Sequence, residues 1–205
     1  MRVEVILKPR PLLILAEVFI LLAFILSTRS YNGSIACLGA STILYYVGMT
    51  EFVRRKLGRW AVKRFTVAYL LRALSWVLMI ASAFYTYSAV VKNIFPFGPR
   101  EFVVTSVVAL IGAAINYVAV GIRNSVLWKI EGLRTSLWFS RLNSMVLFIM
   151  AALPFLPALA EAGEIRWVLA ILSAPVLGSF TVLAILGKIF YWRFLLVMEN
   201  GLGSP

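Results

Sequence analysis

A chain of 205 residues that is 62% hydrophobic, 14% charged and has a mean hydropathy of +0.94 holds more oil than an interior of its size can hide from water. Asp, His and Gln are absent and Cys37 is the only cysteine. An intrachain disulfide, a zinc cluster, a Cys–His dyad and a histidine-held haem are therefore excluded. A formal net charge of +12 calls for anionic surroundings, either a nucleic acid or an anionic membrane face.

Composition and run length together predict an all-α integral membrane bundle of six transmembrane helices. A span needs about 20 apolar residues at about 1.5 Å rise, with about 17 as the practical minimum. The opening, MRVEVILKPRPLL, lacks the small-residue cleavage site of a signal peptide, so the run at 11–27 reads as a retained first span. TRSYNG, with a charge and turn formers, separates it from a second run at 34–50. There Ala36 and Ala40 offer a small face for a neighbouring helix.

EFVRRKLGRWAVKRF follows at 51–65, with Arg54, Arg55, Lys56, Arg59, Lys63 and Arg64 set among Phe, Trp and Leu. It reads as a loop. The third span, 66–91, ends at KNIFPFGPRE, where two prolines and a glycine break helix. The fourth, 102–122, carries Ala109, Gly112 and Ala113, small residues that let helix backbones approach closely. The fifth, 142–160, is closed by the charges of EAGEIR before a sixth at 167–187, whose Ala174 and Gly178 again form a small face. Apolar character continues past Lys188 and Arg193, which are expensive in lipid and so belong at the surface. Residues 188–199 are thus a juxtamembrane helix extension, 1–199 a single six-helix domain and 200–205 a tail with Gly201 as helix stop.

Counting Lys and Arg sets the orientation. With the N-terminus inside, the inner segments hold Arg2, Lys8 and Arg10, the six of 51–65, then Arg123, Lys129, Arg134, Arg141, Lys188 and Arg193. The outer loops hold only Arg29, Lys92, Arg100 and Arg166. Fifteen against four predicts a multi-pass protein of the cell membrane with both termini cytoplasmic. The six cations of 51–65 then contact anionic lipid headgroups, each worth about 1 kcal/mol. Trp60, Trp128, Trp138 and Trp192 fall at the same level, as an interfacial aromatic belt would. Basic residues interleaved with aromatics also suit a nucleic acid. The bilayer already accounts for the pattern, so no nucleic-acid partner is expected.

Glu17 and Arg72 are the ionisable residues inside spans, each costing about 2.5–3.5 kcal/mol to insert. They lie seven residues after Arg10 and eight after Arg64, roughly 10–12 Å inward from the basic flank. At matching depth they form a candidate ion pair, either a structural clamp or a site for a ligand or ion. Asn116 is the third candidate, expected mainly to hydrogen-bond a neighbouring helix. Arg141 joins them through an apparent duplication. Residues 64–84 and 134–154 each begin with Arg and then repeat an Arg-x-x-Ser pair, Arg72 with Ser75 and Arg141 with Ser144. A third copy at the first span would put Glu17 in the same layer. The simpler account is that apolar helices with basic starts look alike.

Conventional catalytic machinery is missing. No His or Asp completes a triad, the eight glutamates are scattered, and no glycine-rich phosphate loop occurs. Neither an enzyme nor a cofactor is expected; lipid-headgroup chemistry near Glu17 and Glu51 is the least implausible catalytic form. The shortage of labile side chains fits a thermophile as well as any hydrophobic membrane protein. Two functions remain. The first is a non-catalytic membrane module, a sensor, anchor or subunit whose partners are the bilayer, a second copy or another membrane subunit. The second is a small transporter or channel with its polar site around Glu17, Arg72 and Asn116, and Asn143 as a further lining residue.

Overall fold

The computed structural model of the protein describes residues 8–26, 29–90, 98–152 and 165–198. It is 94% helix without strands among the described residues. Its elements are α1 (Pro9–Leu26), α2 (Tyr31–Leu57), α3 (Arg59–Val90), α4 (Pro99–Leu127), a 3-10 turn (Glu131–Leu133), α5 (Arg134–Ala152) and α6 (Ile165–Val197). Local chemistry sets the starts. Ser30 caps α2 by accepting from the Gly33 amide at 3.2 Å. Prolines open α1 and α4, where a missing amide costs nothing, and Glu101 reaches back to the Gly98 N–H at 2.9 Å.

Among the described residues, five stretches are long and apolar enough to cross a membrane: Pro9–Leu26, Ala36–Leu57, Arg59–Thr86, Arg100–Leu127 and Gly178–Val197. The fifth expected span, 142–160, is described only to Ala152, and its remainder lies outside the described residues. In the sixth, the side chains before Gly178, Ala174 among them, also lie outside them. Large apolar side chains face outward: Phe24 is 79% exposed and Leu196 69%, and Ile43, Leu70, Val77 and Phe84 are similarly bare. Small ones fill much of the interior, with Ala16, Ala61, Ser75 and Ala113 fully buried. Helices packed through small residues with oil on the outside are what lipid solvation favours. The architecture is compatible with a multi-pass membrane protein.

Contacts gather into two compact units, one within Met1–Thr66 and Tyr191–Pro205, the other within Val67–Phe190. In the first, α1 and α2 pack through a stripe of Ser34, Ser41 and Gly48, spaced seven apart and all buried. Ser34 Oγ donates to the Ala23 carbonyl at 2.9 Å, and a Cβ at Gly48 would meet Leu13 Cγ at 3.0 Å. The small face expected at Ala36 and Ala40 is not the packed one: Ala36 is exposed and Ala40 half-buried. The stripe that packs holds two serines, and their hydroxyls kept it from reading as a small face.

In the second unit the close approaches are at Gly112, where a Cβ would lie 2.9 Å from Met79 Cγ and 3.1 Å from the Ser75 carbonyl oxygen, and at Gly187 beside Phe139. Ser136 Oγ donates to the Gly187 carbonyl at 3.0 Å, and Phe139 stacks on Phe190 at 5.5 Å between centroids. Gly178, expected to pack, is exposed to open space.

The basic stretch 51–65 is a helical corner rather than an irregular loop. α2 runs to Leu57 and α3 starts at Arg59, with Gly58 alone between them at φ 82°, ψ −178°. Its N–H closes the last turn of α2 on the Arg54 carbonyl at 3.1 Å. α4 and α5 are joined differently, through Trp128 to Leu133 with a 3-10 turn. The sequence-similar segments 64–84 and 134–154 thus follow connections that are built differently.

Candidate functional site

The polar groups fall into three places. In the second unit, Ser82 Oγ donates to the Thr105 carbonyl at 2.8 Å and Gly112 meets Ser75, so α3 and α4 run antiparallel in a fixed register. That register puts Asn116, one turn past Gly112, at the level of Arg72, about one turn before Ser75. Ser75 is 0% and Asn116 4% exposed. Ser75 Oγ, Asn116 Oδ1 and Arg72 Nε are buried and have no hydrogen-bond partner among the described residues, as is Asn143 Oδ1 on α5. Each such orphan costs about 1–3 kcal/mol. The layer offers an N–H donor, a hydroxyl and an amide acceptor, a set that suits water or a small polar ligand.

Where α4 passes α5, by contrast, the polar groups satisfy one another. Asn124, buried, accepts at Oδ1 from Arg123 Nη2 (2.9 Å) and Nε (3.2 Å). Its amide nitrogen donates to the Leu137 carbonyl at 2.8 Å, and Arg123 Nη2 also donates to Ser140 Oγ at 2.6 Å. Arg134 Nε donates to the Trp128 carbonyl at 3.1 Å, a cation at the negative end of the α4 dipole. Arg141 is exposed. Its guanidinium carbon lies 5.4 Å from the Tyr117 ring centroid, and Nη2 makes a long contact of 3.4 Å to the Tyr117 hydroxyl. Ser144, its partner in the sequence repeat, is buried and donates to the Arg141 carbonyl at 2.8 Å.

In the first unit, Glu17 is 7% exposed and accepts at Oε2 from the Trp192 indole N–H at 3.0 Å. The end of α6 reaches this position because Tyr191, Phe194, Leu195 and Met198 are buried there. Tyr191 lies 6.2 Å from Tyr45, and Phe194 edge-on to Phe52 at 5.6 Å. Residues separated by 175 positions leave no local signal, and nothing in the sequence pointed to Trp192 as the partner of Glu17. Glu17 belongs to the first unit and Arg72 to the second.

A double-mutant cycle checks the Glu17 contact. Glu17→Ala and Trp192→Phe should each destabilise the protein in micelles, with a coupling of about 0.6–1.5 kcal/mol between them, since Trp192 is half exposed. Purely additive losses would show that the contact carries no energy.

At the Gly58 corner, Glu51 accepts from Arg54 Nε at 2.9 Å and Arg55 Nε at 2.7 Å. Arg54, Arg55 and Lys56 occupy the last turn of α2, where the helix dipole welcomes cations. Arg59 opens α3, where the dipole opposes it, and Lys63 and Arg64 follow in the second turn. Arg64 sits 5.2 Å from the Trp60 ring centroid. All six cations of the stretch are exposed.

No group of three or more His, Cys, Asp or Glu side chains fit to hold a metal occurs among the described residues. The fold and these groups define a class: an all-helical protein with several helices fit to cross a membrane and sparse polar groups between them. Compared with known proteins, the chain matches no family model, no curated protein and no solved structure.

Proposed function

We propose that the protein is a non-catalytic, six-span module of the cell membrane, with both termini cytoplasmic, that serves as a sensor, anchor or subunit. The observation that carries this reading is the end of α6. The helix continues unbroken past Lys188 and Arg193 to Val197, its inner face held to α1 and α2 by Trp192, Tyr191 and Phe194. Its other face, with Leu196 and Val197, is left exposed for a neighbour. A contact that ties Glu17 to the last turns of α6 suits a part that passes on a change of state. The basic corner supports the orientation: its six exposed cations, with Arg59 set against the dipole of α3, gain from anionic headgroups nearby.

The second reading, a small transporter or channel, is favoured by the orphaned atoms of Arg72, Ser75 and Asn116. Flux decides between them. Liposomes containing the purified protein should pass small anions and cations no faster than protein-free liposomes. A flux that disappears with Arg72→Ala would overturn the module reading in favour of transport.

A further inference from the structure

Within the second unit, the facing ends of α4 and α5 leave a cleft of about 260 Å³. Gly121, Asn124, Trp128, Trp138 and Arg141 line it, and no acidic side chain among the described residues does. Asn124 is largely engaged: its amide oxygen accepts from Arg123 and its amide nitrogen donates to the Leu137 carbonyl. Arg141 is different. Among the described residues only Nη2 has a hydrogen-bond partner, the long contact to Tyr117, so Nη1 and Nε keep their donors. The Tyr117 ring beneath fixes the guanidinium in place. Gly121 leaves space beside it: a Cβ there would come 3.7 Å from Arg141 Nη1. Trp128 and Trp138 are about half exposed, and neither indole N–H has a hydrogen-bond partner among the described residues.

The cleft thus presents an unneutralised cation, two indole donors and two broad apolar ring faces, in a segment that also carries Arg123, Lys129 and Arg134. An inorganic anion would use the first of these features and waste the last. An amphiphile with a phosphodiester uses all of them. The volume is several times the roughly 30 Å³ share of one water, enough for a glycerophosphate group. We propose that this cleft is a specific site for an anionic phospholipid. Its phosphate is held by Arg141, and its glycerol and upper acyl chain lie against Trp128 and Trp138. The site is distinct from the diffuse headgroup contact of residues 54–64, and it rests on the membrane reading.

Native mass spectrometry of the full chain in neutral detergent, offered phosphatidylglycerol or phosphatidylcholine, tests the proposal. Wild type should retain the anionic lipid preferentially. Arg141→Gln should lower that retention about five- to tenfold and leave phosphatidylcholine unchanged. Gly121→Phe, which fills the cleft with Arg141 intact, should do the same. Thermal midpoints in lipid-free detergent serve as the folding control for both variants. Retention of phosphatidylglycerol at wild-type level in either folded variant overturns the proposal. So does its displacement by millimolar inorganic phosphate, which would mark a free-anion site. Failure of the membrane reading looks different: the chain would retain neither lipid and stay dispersed without detergent.

Discussion

Gly58→Val should lose about 2–3 kcal/mol of stability in micelles, and Gly58→Ala about 1–2 kcal/mol, measured by thermal or SDS denaturation. The reason is backbone alone. At φ 82° and ψ −178°, Gly58 occupies a region that side-chain-bearing residues essentially do not visit. A Cβ there would touch nothing within 4 Å, so no packing clash contributes. The only relief open to a substituted residue is to change φ, and that moves the start of α3 relative to the end of α2, which meet at this one residue. Gly39 is the control, since it too faces open space but has ordinary helical backbone. Gly39→Ala should be neutral or stabilising by up to about 1 kcal/mol. Equal effects at the two glycines would contradict the corner as described.

Asn124→Ala is the other substitution of large effect, with an expected loss of about 2–3 kcal/mol. Its side chain is buried and uses both ends of the amide, one toward the Arg123 guanidinium and one toward the Leu137 carbonyl. Truncation takes away a hydrogen bond to a charged group, worth about 1.5–3 kcal/mol, and the tie between α4 and α5. Asn124→Asp separates the two contributions. It keeps the acceptor for Arg123 but sets a carboxylate oxygen against the Leu137 carbonyl, so it should lie between wild type and Asn124→Ala. Asp as harmful as Ala would place the energy in the donor to Leu137. Asp at wild-type stability would place it in the contact with Arg123.

The helices were legible in the sequence because their oil is: long apolar runs and the breaks between them follow from composition. Their ends were less so. α2 continues through EFVRRKL to Leu57 because charge on a helix end is as good at a water or headgroup interface as charge on a loop, and composition does not separate the two. Among candidate residues, Arg72 and Asn116 share a layer on α3 and α4. Ser75, noted in the sequence only as part of a repeat, is the fully buried member of that layer. Arg141 turns outward over Tyr117 instead. The partner of Glu17 was not legible, because Trp192 comes to it through the packing of Tyr191 and Phe194 on α2, a tertiary event without a periodic trace. Asn124 lies just past the fourth apolar run, where a polar residue reads as solvated loop. In the structure α4 extends to Leu127 and buries it.

The account depends most on lipid surrounding these helices with the Gly58 corner on the cytoplasmic side. Thiol labelling in intact cells tests this directly, because Cys37 is the only native cysteine and can be replaced by alanine. In that background, Lys56→Cys and Arg29→Cys place single thiols at two exposed positions, at opposite ends of α2. A membrane-impermeant maleimide should label Cys at 29 in intact cells and reach Cys at 56 only after permeabilisation. Labelling at 56 with protection at 29 would reverse the orientation, and equal labelling of both in intact cells would contradict a span between them.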